Sequence, residues 1–433
     1  MELNLKETSP REAVCSVTPE RLPRCAGTVM PLRRNVDAVA PERLPRCAGT
    51  VPPFRLNIMD NTFILSDLGV VSALGSGLSA TAQALAAGDA SGLVRLEGTL
   101  PAGDVTRFGF ARGVPGLDGA ANTTGKPRVA ALLDAALAQL APALEALRET
   151  VPPERLGVVL GTSNSTMEEF TANPDTIDMA FPAEYVAEAI GAKGPAWAVS
   201  TACSSGGKVF ASARRLLQDG LCDAVVVGGA DAFTRVVVNG FNALEAVSPD
   251  LTRPLAADRD GINLGEGAAL FVLRRGTSGV ALAGVGESSD AYHLTAPDPE
   301  GRGAERALRA ALSAAGMRPE EVDYLNLHGT GTTYNDAMEC AAVARVFGAR
   351  ICCSSTKPLT GHALGAAGAI EAALCWLALR GLAPVPPHVT EPVDTALAPF
   401  DLPRRGDRRT LRTALSSSFA FGGSNAAVLL RRI

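Results

Sequence analysis

Trp197-Ala198-Val199-Ser200-Thr201-Ala202-Cys203-Ser204-Ser205-Gly206-Gly207 begins as an apolar, strand-like run, breaks into small residues and opens a helical pattern. A strand turning through small residues into a helix is the building unit of α/β folds, and the chain repeats it. Apolar runs read as strands at 63–68, 156–161, 195–200, 223–229, 267–274, 279–286, 322–328, 350–355, 412–418 and 425–431. Helical patterns lie at 78–87, 127–148, 182–191, 204–219, 303–316, 335–347 and 363–380. The alternation predicts crossover connections and mostly parallel sheet, with antiparallel additions at 267–286 and at the C-terminus. The unit around Cys203 is matched by a second at 350–380, which carries His362 in its turn. Val225-Val226-Val227-Gly228-Gly229-Ala230 is also echoed by Phe421-Gly422-Gly423-Ser424-Asn425. Two similar halves facing each other would gather their turns at the C-terminal ends of the strands, where α/β proteins place active sites.

The turns carry distinctive chemistry. A thiol at the first turn of a helix feels the positive end of the dipole, which favours thiolate. Amides at such a turn can hold an oxyanion, and Ser204, Ser205, Gly206 and Gly207 are small enough to let a substrate near the backbone. Of four histidines, two sit in glycine-flanked turns: His328 in His328-Gly329-Thr330-Gly331-Thr332 and His362 in Lys357-Pro358-Leu359-Thr360-Gly361-His362. Cys203 with these two imidazoles is a candidate nucleophile with partners gathered from distant sequence. His293 and His388 lie in polar or proline-rich loops and read as structural. Cys222, Cys340, Cys352, Cys353 and Cys375 fall within apolar or helical runs and read as small buried hydrophobes. Metal-ligand spacing is absent, so no metal is expected.

Bulk properties narrow the function classes. The 433 residues are 47% hydrophobic, 20% charged and 5% aromatic, with net charge −5. That balance gives no electrostatic footprint for nucleic acid. Nine scattered cysteines, an odd number without CxxC pairs, read as reduced thiols of the cytoplasm. No signal-peptide core and no run long enough for a membrane span is apparent. Residues 1–58 stand apart: eight prolines, a charge of +3, and a segment, Pro19–Val29, repeated at Pro41–Val51. Two copies are too few for a solenoid, so a disordered extension is expected, with Met59 as the natural start. Halves at 59–283 and 284–433 would follow it.

Thr201-Ala202-Cys203-Ser204-Ser205-Gly206, His328-Gly329-Thr330-Gly331-Thr332, Lys357-Pro358-Leu359-Thr360-Gly361-His362 and Phe419-Ala420-Phe421-Gly422-Gly423-Ser424-Asn425 together resemble the β-ketoacyl-acyl-carrier-protein synthases. Arg253-Pro254, Asp258-Arg259-Asp260-Gly261 and Gly265-Glu266-Gly267-Ala268 fit the same order, and the likeness runs from Phe63 to Leu430. The resemblance implies a thiolase-like fold, two βαβαβ-type halves in α-β-α-β-α layers. It implies that Cys203 takes an acyl chain from acyl carrier protein, with His328 and His362 promoting decarboxylation of the malonyl carrier protein. The backbone N–H groups of Cys203 and Phe419 would hold the oxyanion, and Phe419 would gate the acyl pocket. Lys357 would be the active-site lysine and Glu371 its ion-pair partner, while Thr330 and Thr332 would bind the phosphopantetheine arm. No cofactor beyond that carrier-borne arm is implied. Taken on charge alone, Lys357, Glu371, Asp336 and Glu339 read equally well as helix-surface residues.

The segments 161–194 and 248–253 look shorter than in housekeeping fatty-acid enzymes, which bears on substrate size. Asn239-Gly240-Phe241-Asn242-Ala243-Leu244-Glu245 is most similar to ketosynthases of aryl-polyene pathways. This implies a homodimer, or a heterodimer with a chain-length-factor homologue. An acidic carrier protein calls for a basic rim, with Lys126, Arg128, Arg214 and Arg215 as candidates. Competing readings are another thiolase-fold acyltransferase, a non-condensing partner subunit and a Cys-His hydrolase. Degradative thiolases should carry a second cysteine near the C-terminal glycines, and a hydrolase needs its base held by Asn or Asp; neither pattern is present.

Overall fold

In the computed structural model the described residues are 62–101, 103–167 and 177–433. The expected extension at 1–58 and the start at Met59 lie outside them, as does part of the 161–194 segment. Among the described residues the main sheet has eleven strands, of which the short Gly75–Ser76 pairs only with the first. The other ten form a continuous path: β1 Phe63–Ser72, β2 Leu156–Gly161, β3 Ala196–Val199, β4 Ala224–Asp231, β5 Gly267–Arg275, β6 Val280–Ser289, β7 Tyr324–Asn326, β8 Cys353–Ser354, β9 Thr413–Phe419 and β10 Ser424–Arg432. Their spatial order is β8-β7-β9-β10-β6-β1-β5-β4-β2-β3.

That order hides a repeat. β3, β2 and β4 run parallel, and β5 and β1 follow antiparallel. β8, β7 and β9 likewise run parallel, and β10 and β6 follow antiparallel. Each half therefore reads 3-2-4-5-1 in its own strand order, and the halves meet where Ile64 and Leu65 pair with Ala281 and Val280. A division at 283/284 falls inside β6, since the sheet runs through the junction. The counterpart of β4 is β9, so the glycine pair at 228–229 lies within a strand while Gly422 and Gly423 lie in a turn.

The principal helices are α1 Leu78–Ala87, α2 Arg128–Arg148, α3 Phe181–Ile190, α4 Ser205–Gln218, α5 Arg235–Ala243, α6 Arg302–Ala315, α7 Thr333–Phe347, α8 Lys357–Thr360 and α9 Ala367–Leu379. Strand periodicity assigns them to layers, because alternate side chains leave opposite faces. Val225 and Val227 of β4 pack with α4 and α9, whereas Ala224 and Val226 pack with α2 and α3. Leu415 and Leu429 of the second half pack with α6 and α7, and Ala414 and Leu430 turn inward to the α4–α9 layer. The result is α-β-α-β-α. α2 is long and apolar enough to cross a membrane, yet its Leu132, Leu133, Leu140 and Leu144 are buried against the sheet.

α9 is buried at every position, as a helix apolar on all sides must be. It crosses α4 at glycine: a Cβ on Gly368 would stand 2.7 Å from the Gly207 nitrogen, and one on Gly206 2.6 Å from the Gly365 oxygen. Gly206 and Gly207 therefore serve helix packing rather than substrate approach. α5 and α8, with strands at Leu93–Leu96 and Thr106–Gly109, are elements the periodicity did not show.

Candidate active site

Cys203 follows β3 at an elbow. Ala202 takes φ 51°, a left-handed conformation costly for a residue with a Cβ. The elbow is pinned locally: Ser205 Oγ donates to the Ala202 oxygen at 2.6 Å and accepts the Thr201 N–H at 2.8 Å, and Ser204 Oγ donates to the Thr201 oxygen at 2.8 Å. The serines thus hold the turn that presents the sulfur.

His362 occupies the equivalent connection of the second half, after β8. Its N–H donates to the Asn263 oxygen at 2.7 Å and its oxygen accepts the Gly265 N–H at 3.0 Å. His328 follows β7. The Glu339 carboxylate accepts the His328 N–H at 2.8 Å, the Gly329 N–H at 2.7 Å and the Ser417 hydroxyl at 2.9 Å. Asp336 accepts the Leu255 N–H at 2.9 Å and the Gly331 N–H at 3.2 Å. Gly331 has φ 78° and a Cβ there would meet Thr252 Oγ1 at 2.4 Å, so the turn requires glycine. Asp336 and Glu339 are wholly enclosed, as are Lys357 and Glu371, which form an ion pair at 2.6 Å. The helix-surface reading of these four fails because each neutralises a buried partner or fills a turn.

The three distant groups converge. His362 Nε2 lies 3.0 Å from Cys203 Sγ, and the imidazole centroids are 5.2 Å apart, nearly perpendicular. One ligand-type atom from each of Cys203, His328 and His362 falls within 4.8 Å of the others. The Phe419 ring stands 6.1 Å from His328. A cavity of about 360 Å³ joins Cys203, His328, His362 and Phe419 to Thr330 and Thr332, whose hydroxyls are 3.0 Å apart.

Burial governs the electrostatics. It pushes the Cys203 thiol up to about 12, against the pull of the Lys357 ammonium. Loss of solvent thus opposes the thiolate that the helix terminus was expected to favour. Burial also holds both histidines well below their ordinary range, with Lys357 adding to it, so both imidazoles are neutral. Neither Nδ1 has a hydrogen-bond partner within the described protein. An unpaired lone pair costs less than an unpaired N–H, which places the proton of each ring on Nε2.

The candidate basic rim is not at the cavity. Arg128 is fully buried and forms a bidentate pair with Glu266, both contacts 2.6 Å. Lys126 pairs with Asp134, Arg215 pairs with Glu287, and Arg214 is partly buried with its guanidinium toward the Ala283 oxygen. Among the described residues lining the cavity there is no lysine or arginine, and besides the two neutral histidines the side chains that carry charge toward its mouth are Glu245, Asp260 and Asp290, all acidic. Sequence reasoning also missed Asp231, whose signal was a lone acid ending the apolar run of β4.

Two facing 3-2-4-5-1 halves with a cysteine and two histidines at their shared strand ends define the thiolase-like fold. The sequence matches the β-ketoacyl synthase N-terminal domain over residues 127–278 and the C-terminal domain over 280–390. It is 35% identical over 313 residues to 3-oxoacyl-[acyl-carrier-protein] synthase 2 of Staphylococcus aureus (strain COL), covering 64% of this chain and 75% of the relative. The chain belongs to the β-ketoacyl synthase family. Nodulation protein E of Rhizobium meliloti is 40% identical over 264 residues, 57% of this chain and 64% of that protein's length. A chain in the solved structure of the ketosynthase ApeO in complex with its chain length factor ApeC, from Xenorhabdus doucetiae, superposes with TM-score 0.77 at 38% identity. It covers 86% of this chain and 98% of that one.

Proposed function

We propose that the protein is a 3-oxoacyl-[acyl-carrier-protein] synthase that condenses malonyl carrier protein with an acyl chain held on Cys203. The observation that carries this reading is the 3.0 Å approach of His362 Nε2 to Cys203 Sγ inside a cavity that also holds His328. Loading is a thioester exchange: the Cys203 thiol displaces the pantetheine thiol, which leaves with the proton. Malonyl carrier protein then loses CO2, and the electron pair develops as an enolate on the thioester oxygen. Two neutral Nε2–H donors in an enclosed site stabilise that charge without quenching it by proton transfer. The enolate carbon attacks the acyl carbonyl on Cys203, the N–H groups of Cys203 and Phe419 hold the oxyanion, and collapse releases the Cys203 thiolate. Thr330 and Thr332 line the approach and would bind the pantetheine arm. The reading needs no cofactor and no metal of the protein's own.

A second subunit fits one edge of the sheet. β8 is buried and its Cys353 N–H donates to the Asp401 oxygen at 3.0 Å, whereas among the described residues β3 is the open edge, uncharged and incompletely buried along Ala196, Trp197, Ala198 and Val199. An apolar open edge is a template for strand pairing, which supports a homodimer or a chain-length-factor heterodimer. The segment 239–245 favours aryl-polyene assembly in the cytoplasm, and the likeness to the ApeO–ApeC structure supports a chain-length-factor partner. Intact-mass analysis after mixing with acyl carrier proteins tests the main reading: an acyl adduct on Cys203, lost in Cys203→Ala, supports it. Peptide or ester cleavage without an adduct would favour a hydrolase.

A further inference from the structure

We propose that Asp231 is a positioning residue which, from the first half of the molecule, fixes His362 of the second half against Cys203; this rests on the condensing reading above. Asp231 ends β4 and is wholly enclosed. Its Oδ1 accepts from Thr162 Oγ1 at 2.6 Å, the Ser163 N–H at 2.9 Å and the Asn164 N–H at 3.0 Å. Its Oδ2 accepts from Ser163 Oγ at 2.7 Å, the Ser163 N–H at 3.0 Å and the Gly365 N–H at 2.6 Å. The first five contacts gather the loop after β2. The sixth crosses to the other half, three residues beyond His362.

That crossing contact bears on His362 through strained backbone. Leu364 takes φ 50°, which a leucine avoids unless neighbours impose it. Gly365 then passes so close that a Cβ would lie 2.7 Å from Asp231 Oδ2 and 2.6 Å from the Ser163 nitrogen. On the preceding side His362 is fixed by its backbone pairing to Asn263 and Gly265. With Asp231 on the following side, the imidazole-bearing segment is held at both ends. The half carrying the thiol thereby aligns the half carrying the imidazole.

The carboxylate also reaches Cys203 electrostatically. Among the charged and titratable groups around that thiol are His362, His328, Lys357, Glu371 and Asp231, and the last raises the thiol. Asp231→Asn keeps the shape but turns an amide NH₂ toward donors and removes the charge. It should lower kcat for CO2 release from malonyl carrier protein by about tenfold or more with KM unchanged, as expected for a small misplacement at a reacting centre. The pH profile of Cys203 alkylation by iodoacetamide should move to lower pH, a shift no purely structural residue would give. Ser163→Ala removes one donor to Asp231, and the longer 3.2 Å acceptor of the Gly365 N–H, without touching the charge, and should cost a few-fold in kcat; it carries the test if Asp231→Asn does not fold. Wild-type kcat in either folded variant, or an unmoved alkylation profile in Asp231→Asn, overturns the proposal. A wild type that accepts no acyl group defeats the condensing reading instead, and the alkylation profile still reads the clamp.

Discussion

His362 Nε2 touches Cys203 Sγ at 3.0 Å although 159 positions separate the two residues. The contact exists because each lies in the strand-to-helix connection that follows the equivalent strand of one of two facing halves. Removing the imidazole takes one of two donors from the developing enolate and strips the sulfur of its partner. His362→Ala should therefore slow CO2 release from malonyl carrier protein by about 10²–10³, the usual cost of one oxyanion donor. Loading of Cys203 should slow less, because the thiol remains. Wild-type decarboxylation in this variant would remove His362 from the mechanism.

The Cys203 thiol, raised to about 12 by burial, predicts an unusual reactivity profile. Ionisation below that value is a small fraction, so alkylation by iodoacetamide should climb about tenfold per pH unit across pH 7–10. A free thiol levels off near its ordinary pKa of about 8.5. Lys357→Met removes the cation that lowers the thiol and should slow alkylation further at any pH in that range. A plateau below pH 9 would show that the enclosed thiol ionises more easily than its burial allows.

Among the described residues Arg128 and Glu266 form a second fully enclosed charge pair, and it organises backbone on both sides. Glu266 accepts the Ala111 N–H at 3.0 Å and the Phe233 N–H at 2.9 Å, while Arg128 donates to the Ala121 oxygen at 3.0 Å and the Gly119 oxygen at 2.7 Å. Arg128→Ala leaves a buried carboxylate without its partner, a loss of about 3–5 kcal/mol. Urea unfolding should show the midpoint falling accordingly. A variant as stable as wild type would mean that water reaches Glu266.

The alternation of strands and helices and the three candidate side chains were legible because periodicity and small-residue turns are local signals. The layer scheme followed from the resemblance of the motifs, whereas the spatial order of the strands came only from the fold. What escaped the sequence was partnership. Arg128 read as surface charge because its partner Glu266 lies 138 positions away, and Asp336 and Glu339 because the Leu255 N–H and the Ser417 hydroxyl that help enclose them lie 81 and 78 positions away. Gly206 and Gly207 were misread for a similar reason: their neighbours, Gly365 in the turn before α9 and Gly368 on α9, come from the other half. Asp231 gave one cue, an acid closing an apolar strand. Its six contacts, made by five donors, could not be guessed from spacing.

Charge at the cavity mouth gives the last prediction. Glu245 and Asp260 are exposed there, and Asp290 is partly offset by Arg306 at 3.4 Å. An acidic carrier protein approaching this face meets like charge rather than the basic rim the reaction partner would ordinarily require. Raising ionic strength from about 0.05 to 0.15 M shortens the screening length to about 8 Å and weakens that repulsion. Loading of Cys203 from an acidic acyl carrier protein should therefore speed up with salt. A neutral acyl-pantetheine donor should show no such dependence. Substituting both Glu245→Lys and Asp260→Lys should reverse the sign, so that salt slows loading by attraction lost. If wild-type loading slows with salt as it stands, basic groups outside the cavity wall dominate the approach, and the carrier protein docks on a surface other than this mouth.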